Sequence, residues 1–140
     1  MLLRQMLDIY DLIDKPQASG EECAALIRSH GITEVTVERV SGDRGGTDCI
    51  KILIPGSNGK SCGGTAPTLG IVGRLGGLGA RPEMIGAVSD GDGALAALTA
   101  ALKLAEMHEN GDVLEGDVII ATHVCPDAPT LPHEPVPFMD

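Results

Sequence analysis

Two kinds of apolar spacing alternate along this chain, and this alternation constrains its fold more than any other feature. Spacings of three and four residues, typical of helices, occur in residues 2–14, in a segment that ends at Gly31, and in residues 94–107. Short alternating or continuous apolar runs, typical of strands, occur at residues 34–40, 48–54, 68–72, 84–89 and 117–122. The order helix, helix, hairpin, strand, strand, helix, strand predicts an α/β fold with a mixed central sheet flanked by helices.

Local signals set several element boundaries. Ser19 precedes Glu22 by three residues, the spacing of a capping box at the start of a helix. Asp90 or Asp92 is expected to cap the third helix, whose many alanines allow close packing on a sheet. The continuous apolar run 68–72 is typical of a central strand.

The composition suits one domain over residues 1–140. Tyr10 and Phe138 are the two aromatic residues, so the core must be aliphatic. The four cysteines form no CxxC pair, which predicts a reduced, cytoplasmic protein with mostly buried thiols. The formal net charge of −10 argues against binding to nucleic acid or to an anionic membrane surface, and no apolar run is long enough to span a bilayer.

Residues 55–67, PGSNGKSCGGTAP, contain the Gly-Lys-Ser of a phosphate loop. The first glycine of that motif would fall at position 54, which is Ile54, and no helix is predicted to follow. The segment is therefore interpreted as a surface loop.

A second glycine-rich segment, GRLGGLGARP, follows the run 68–72 and lacks the dinucleotide-binding pattern. It is either a tight loop at the end of a strand or a loop that approaches a ligand. In the second case Arg74 would bind a substrate carboxylate through two parallel hydrogen bonds.

Potential metal ligands concentrate in two places. Asp90 lies with Asp92 between a predicted strand and a helix, where an aspartate caps the helix or coordinates a divalent cation. The proline-rich segment 121–140 follows the last predicted strand and holds the densest group of such residues: His123, Cys125, Asp127, His133 and Glu134. Histidine and carboxylate ligands suit zinc or a similar ion, and the alternative is a tail that packs on a neighbouring domain.

Residues 53–60, 67–83 and 116–139 closely resemble an uncharacterised bacterial protein family of unknown function. Its members continue past the position of Asp140, so the resemblance implies that the chain is incomplete.

The layout also resembles, more distantly, the zinc-dependent aminopeptidase and deacylase superfamily, with its phosphorylase/hydrolase-like architecture. In this resemblance Asp90 matches the metal-bridging aspartate, whereas Arg74 and Gly76 stand where that superfamily has a His-x-Asp motif. The site must then be rebuilt from other residues, or hydrolysis has been lost. Arg74 at a former metal position favours an anionic substrate group.

The resemblance implies a metal-dependent hydrolase of peptides, amides or amino-acid derivatives. Asp90, His123 and His133 would bind a divalent metal ion such as zinc, and Asp127 or Glu134 would act as general base. The alternative is a non-catalytic ligand-binding, structural or interaction domain on a degenerate peptidase scaffold. Expected partners are a small-molecule or peptide substrate and a second copy or a missing second half of the protein.

Overall fold

The computed structural model describes residues 1–15, 17–43, 45–74, 87 and 91–125, and the backbone of 130–131 and 138–139. Its helices are α1 (Leu2–Ile13), α2 (Gly20–Ser29), a short 3₁₀ helix (Lys60–Cys62) and α3 (Asp92–Glu109). Its strands are β1 (Val35–Gly42), β2 (Gly45–Ile54), β3 (Leu69–Val72), β4 (Val118–Val124), β5 (Thr130–Leu131) and β6 (Phe138–Met139). The predicted α/β class is confirmed, whereas the predicted strand 84–89 falls, apart from residue 87, outside the described residues.

Four strands form one mixed sheet in the order β1-β2-β4-β3. β2 is antiparallel to both β1 and β4, and β3 is parallel to β4. The run 68–72 was expected to be a central strand, and this prediction is wrong for the sheet formed by the described residues, because β4 lies between β2 and β3 and leaves β3 at its edge. Strand order depends on pairing between distant segments, which an apolar run does not encode.

Helices α1, α2 and α3 all lie on one face of this sheet, where they share one aliphatic core with the strands. Four fully buried alanines of α3 let that helix approach the sheet closely: Ala94, Ala97, Ala101 and Ala105. In β2 and β4 every second residue faces this core, including Ile50, Ile52, Val118 and Ile120, and the residues between them face the opposite side of the sheet. We call that opposite side the open face, because no helix in the described part of the chain covers it.

The start of α2 is held by two oxygen acceptors. The Glu22 amide donates to the Ser19 hydroxyl at 3.3 Å, which confirms the predicted cap, although the Glu22 carboxylate pairs with Lys15 instead of completing a capping box. The Gly20 amide donates to the buried Asp48 carboxylate of β2 at 2.8 Å. Asp48 thus places a negative charge at the positive end of the helix dipole and fixes α2 on the sheet.

Three further sequence predictions need correction. Gly91 is the N-cap of α3 and Asp92 lies inside the helix, so Asp92 is not its cap; no side chain among the described residues caps this helix, and the other predicted cap, Asp90, lies outside them. β4, which was predicted to end at residue 122, continues to Val124, so His123 lies inside this strand and not after it. The thiols are not mostly buried, because Cys23 is buried but Cys49 and Cys62 are exposed and Cys125 is half-buried. Burial raises the pKa of Cys23 to about 12, which keeps this thiol protonated.

None of the helices that the structure describes is both long enough and apolar enough to cross a membrane.

Candidate functional site

Two of the polar side chains predicted to form a site, those of Arg74 and His123, lie at the same end of the four-stranded sheet. Because β3 and β4 are parallel, both terminate at this end, where β3 leads into Arg74 and β4 carries His123. β2 runs the opposite way and begins there, which brings Cys49 directly across from His123. The carboxyl ends of strands in α/β sheets are a common place for ligands to bind.

His123 is held in one orientation by Thr47 of β2. The Thr47 hydroxyl lies 2.8 Å from the Nδ1 atom of His123 and donates its own hydrogen to the carbonyl oxygen of Val124 at 3.0 Å. Since a hydroxyl has one hydrogen, Thr47 must accept from Nδ1–H, and it also accepts from the Cys125 thiol at 3.1 Å. This network therefore assigns the proton of the neutral imidazole to Nδ1 and leaves a lone pair on Nε2.

The electrostatic surroundings of His123 favour that neutral ring. Burial lowers the pKa of His123, and the positive charge of Arg74 lowers it further. In the described part of the chain, no hydrogen bond involves Nε2. At neutral pH the ring therefore presents an unprotonated nitrogen, which can act as a base or as a metal ligand.

Arg74 is placed by a close crossing of two backbones. A Cβ atom on Gly73 would overlap the carbonyl oxygen of Gly93, and a Cβ atom on Gly93 would overlap the carbonyl oxygen of Arg74. The two glycines thus let the end of β3 pass directly against the first turn of α3. The Arg74 side chain is exposed and forms no ion pair with any residue that the structure describes.

Both residues line a groove of about 640 Å³ on the open face. Val72, Ile119 and Ala121 contribute apolar surface, and Glu38, Cys49, Lys51, Arg74 and His123 contribute the polar groups. Among the residues that the structure describes, two permanent cations and one acid therefore line this groove, in a chain whose net charge is −10. The local excess of positive charge favours an anionic ligand.

The structure brings together two of the residues predicted from sequence, Arg74 and His123, and places Cys125 beside His123. Asp90, Asp127, His133 and Glu134 lie outside the described residues. Within the described ranges, no three His, Cys, Asp or Glu side chains lie close enough together to hold a metal ion.

Sequence reasoning missed the contribution of β2 to this groove. Thr47, Cys49 and Lys51 alternate with inward-facing residues of the strand, so their spacing of two was a usable signal that they share one face. Which residues of β4 they would meet depends on register, which the spacing does not give.

The glycine-rich loop after β2 is occupied by a side chain of the protein itself. The Asp117 carboxylate accepts from the amides of Gly56 at 2.9 Å and Ser61 at 2.8 Å, and from the Ser61 hydroxyl at 2.7 Å. Hydrogen bonds from Gly56 and then from Ser61 lower the pKa of Asp117, which is buried. These donors are directed at the carboxylate, which agrees with the interpretation of this segment as something other than a phosphate loop.

The fold and the groove define this chain as an α/β domain with a three-helix layer on one side of a mixed sheet and a basic, polar groove on the other. The family model described as "Protein of unknown function (DUF1177)" matches residues 38–140, and the chain belongs to that family. This match confirms the predicted resemblance to an uncharacterised family and gives no support to the likeness with zinc peptidases. Neither the curated proteins nor the solved structures contain a match to the chain.

Proposed function

We propose that this domain binds a small molecule or short peptide that carries a carboxylate group, in the groove on the open face. The observation that carries the proposal is the exposed Arg74 guanidinium, which has no ion-pair partner among the described residues and lines the groove with Lys51 and His123. A guanidinium matches a carboxylate in shape and charge and binds it through two hydrogen bonds.

Glu38 narrows the class of ligand further. In the sheet register Glu38 of β1 lies opposite Cys49 of β2, and Cys49 lies opposite His123 of β4. These three residues form a polar row that crosses the sheet toward Arg74. Three strand spacings separate the backbone of Glu38 from that of Arg74 by about 14 Å. Both residues line the groove together with apolar side chains, and this separation leaves room for an amino-acid derivative or a short peptide with its amino group toward Glu38 and its carboxylate toward Arg74.

Calorimetric titration with dipeptides and N-acyl amino acids tests this proposal. A ligand that binds the wild-type chain is expected to bind Arg74→Ala about 10- to 100-fold more weakly, because a charge-assisted pair of hydrogen bonds is lost. Arg74→Lys should lose part of this affinity, since an ammonium cannot form the planar pair.

Lys60→Ala is the matched control, because Lys60 is exposed and does not line the groove. This variant should bind as the wild type does. Equal binding of the ligand and its carboxamide analogue, or unchanged affinity in Arg74→Ala, contradicts the proposal.

A second candidate function, metal-dependent hydrolysis of the same class of compound, is favoured by the Nε2 atom of His123, which makes no hydrogen bond to any residue that the structure describes. A neutral imidazole whose Nδ1–H is held by another group fits the requirements of a metal ligand. Asp90 and His133 would complete the ligand set, and Asp127 or Glu134 would take a proton as general base. A bound divalent ion would supply Lewis acidity at the scissile carbonyl.

Elemental analysis of protein purified without added metal tests this second candidate. The expected result is close to one equivalent of zinc, manganese or iron per chain, falling severalfold in His123→Ala and unchanged in the control His108→Ala. A metal content below about a tenth of an equivalent, or one that His123→Ala does not alter, rules against it.

A further inference from the structure

Both asparagines of the chain, Asn58 and Asn110, are followed directly by a glycine. In such a pair the backbone nitrogen of the glycine can attack the Cγ atom of the asparagine, because glycine has no Cβ atom to hinder the approach. The new N–C bond closes a succinimide ring, and the Cγ–Nδ2 bond breaks with loss of ammonia. Water then opens the ring to aspartate or to isoaspartate, in which the chain continues through Cγ. No oxidant or reductant is consumed.

The fold opposes this reaction at Asn58. Asn58 is itself exposed, but Gly59 is buried. The Thr65 amide donates to Oδ1 of Asn58 at 3.3 Å, and its Nδ2 group donates to the Glu115 carboxylate at 3.4 Å. A Cβ atom on Gly59 would overlap the Asp117 carboxylate, so the backbone lies directly against a negative charge. The attacking nitrogen must lose its proton, and this carboxylate disfavours the resulting anion.

Asn110 occupies a more accessible position, at the C-terminal end of α3. Residues 110–115 are all exposed. Gly111 has a φ of 82°, and its amide donates to the carbonyl oxygen of His108 at 3.0 Å. The Nδ2 group of Asn110 donates to the carbonyl oxygen of Glu106 at 2.7 Å. Because the last turn of a helix opens at little cost in free energy, attack on Cγ needs only local fraying here.

We propose that Asn110 is a site of spontaneous deamidation, at which the ageing protein acquires aspartate or isoaspartate, and that the fold protects Asn58 from the same reaction. The new carboxylate cannot donate to the Glu106 carbonyl, because it has no hydrogen to give. Its charge also lies at the negative end of the helix dipole, next to Glu109 in the sequence. Since Glu109 contacts His30 of α2 at 2.6 Å, deamidation loosens the link between the two helices as well as the last turn.

Peptide mapping by mass spectrometry tests the proposal on the full chain, incubated at mildly alkaline pH. The peptide with Asn110 is expected to gain the mass of an amide-to-carboxylate exchange and to separate into aspartyl and isoaspartyl forms. The same chain unfolded in guanidinium chloride is the reference, since there both Asn-Gly pairs are freely accessible. Relative to this reference, folding should slow the reaction at Asn58 at least about 10-fold more than at Asn110. A folded chain in which Asn110 stays unchanged, or in which both sites react equally fast, overturns the proposal.

Asp117→Asn tests the protection of Asn58 separately, because it removes the charge that lies against Gly59. Asn58 should react several times faster in this variant, and Asn110 serves as the internal control whose rate stays the same. Circular dichroism establishes that the variant is folded under the conditions of the incubation. An unchanged rate at Asn58 in the folded variant contradicts protection by this carboxylate. Hydrogen exchange of the aged wild type should be faster than that of fresh protein in the last turn of α3.

Discussion

Asp117→Asn is expected to lower the melting temperature by roughly 5–10 °C at neutral pH, since it removes the acceptor of several buried donors. In the native protein the Gly56 amide, the Ser61 amide and the Ser61 hydroxyl all donate to this carboxylate. An asparagine offers one oxygen and turns an NH₂ group toward the remaining donors. Thermal unfolding followed by circular dichroism measures the change.

The loss of stability in Asp117→Asn is expected to depend on pH. Hydrogen bonding makes the pKa of Asp117 lower in the folded protein than in the unfolded chain. Its contribution to stability is therefore fully present above the unfolded pKa of about 4 and is lost as pH falls through the folded value. The difference in melting temperature between wild type and Asp117→Asn should shrink when the melts are repeated near pH 3.

Asp112→Asn is the control, because Asp112 is exposed just after α3 and its side chain forms no hydrogen bond within the described residues. It should melt within about 2 °C of the wild type at both pH values. A similarly small change in Asp117→Asn at neutral pH would show that the loop does not depend on this carboxylate.

Gly73→Ala is expected to destabilise the fold by about 1–3 kcal/mol, whereas Gly70→Ala on the same strand should change stability by less than about 1 kcal/mol. A Cβ atom on Gly73 would overlap the carbonyl oxygen of Gly93 and meet the Cβ atom of Ala97 at 2.6 Å, so β3 and α3 must separate. A Cβ atom on Gly70 meets no atom within 4 Å. Urea unfolding of both variants measures the two free energies.

The close contact between Gly73 and Gly93 also connects the stability of the fold with the position of Arg74 in the groove. Because Arg74 follows Gly73 directly and its carbonyl lies against Gly93, separation of β3 from α3 displaces Arg74. Ligand affinity should therefore fall in Gly73→Ala and persist in Gly70→Ala. Equal stability of the two variants would contradict the close crossing.

Features controlled by neighbouring residues were predictable from sequence. Ser19 was identified as a helix cap, and the alternation in residues 34–40 and 48–54 was identified as a hairpin, because capping and pairing across a short turn are local. The edge position of β3 was not predictable, since it depends on β4, which follows more than forty residues later. Asp117 was placed at the start of a strand, but nothing near it in sequence indicates its bond to the Gly56 amide, 61 residues away.

The residues of the candidate site were likewise predictable where local features mark them and unpredictable where strand register decides. Arg74 and His123 were selected by residue type and by position at strand ends, and the parallel pairing of β3 and β4 brings them to one edge. The role of Thr47 in orienting His123 required the register of β2 against β4, which positions these residues although 76 residues separate them. A hydroxyl in a strand gives no sign of such a bond until its cross-strand neighbour is known.

The position of β4 has a consequence for how the chain folds. β4 pairs with both β2 and β3, yet it is the last of these strands to leave the ribosome. Until residues up to Val124 emerge, the β1–β2 hairpin and β3 have no strand between them to pair with, and α3 has only part of the surface on which it finally packs. β4 must therefore insert between β2 and β3 after both of these strands have been synthesised. Because this pairing joins segments that are far apart in the sequence, it is a folding step of high contact order.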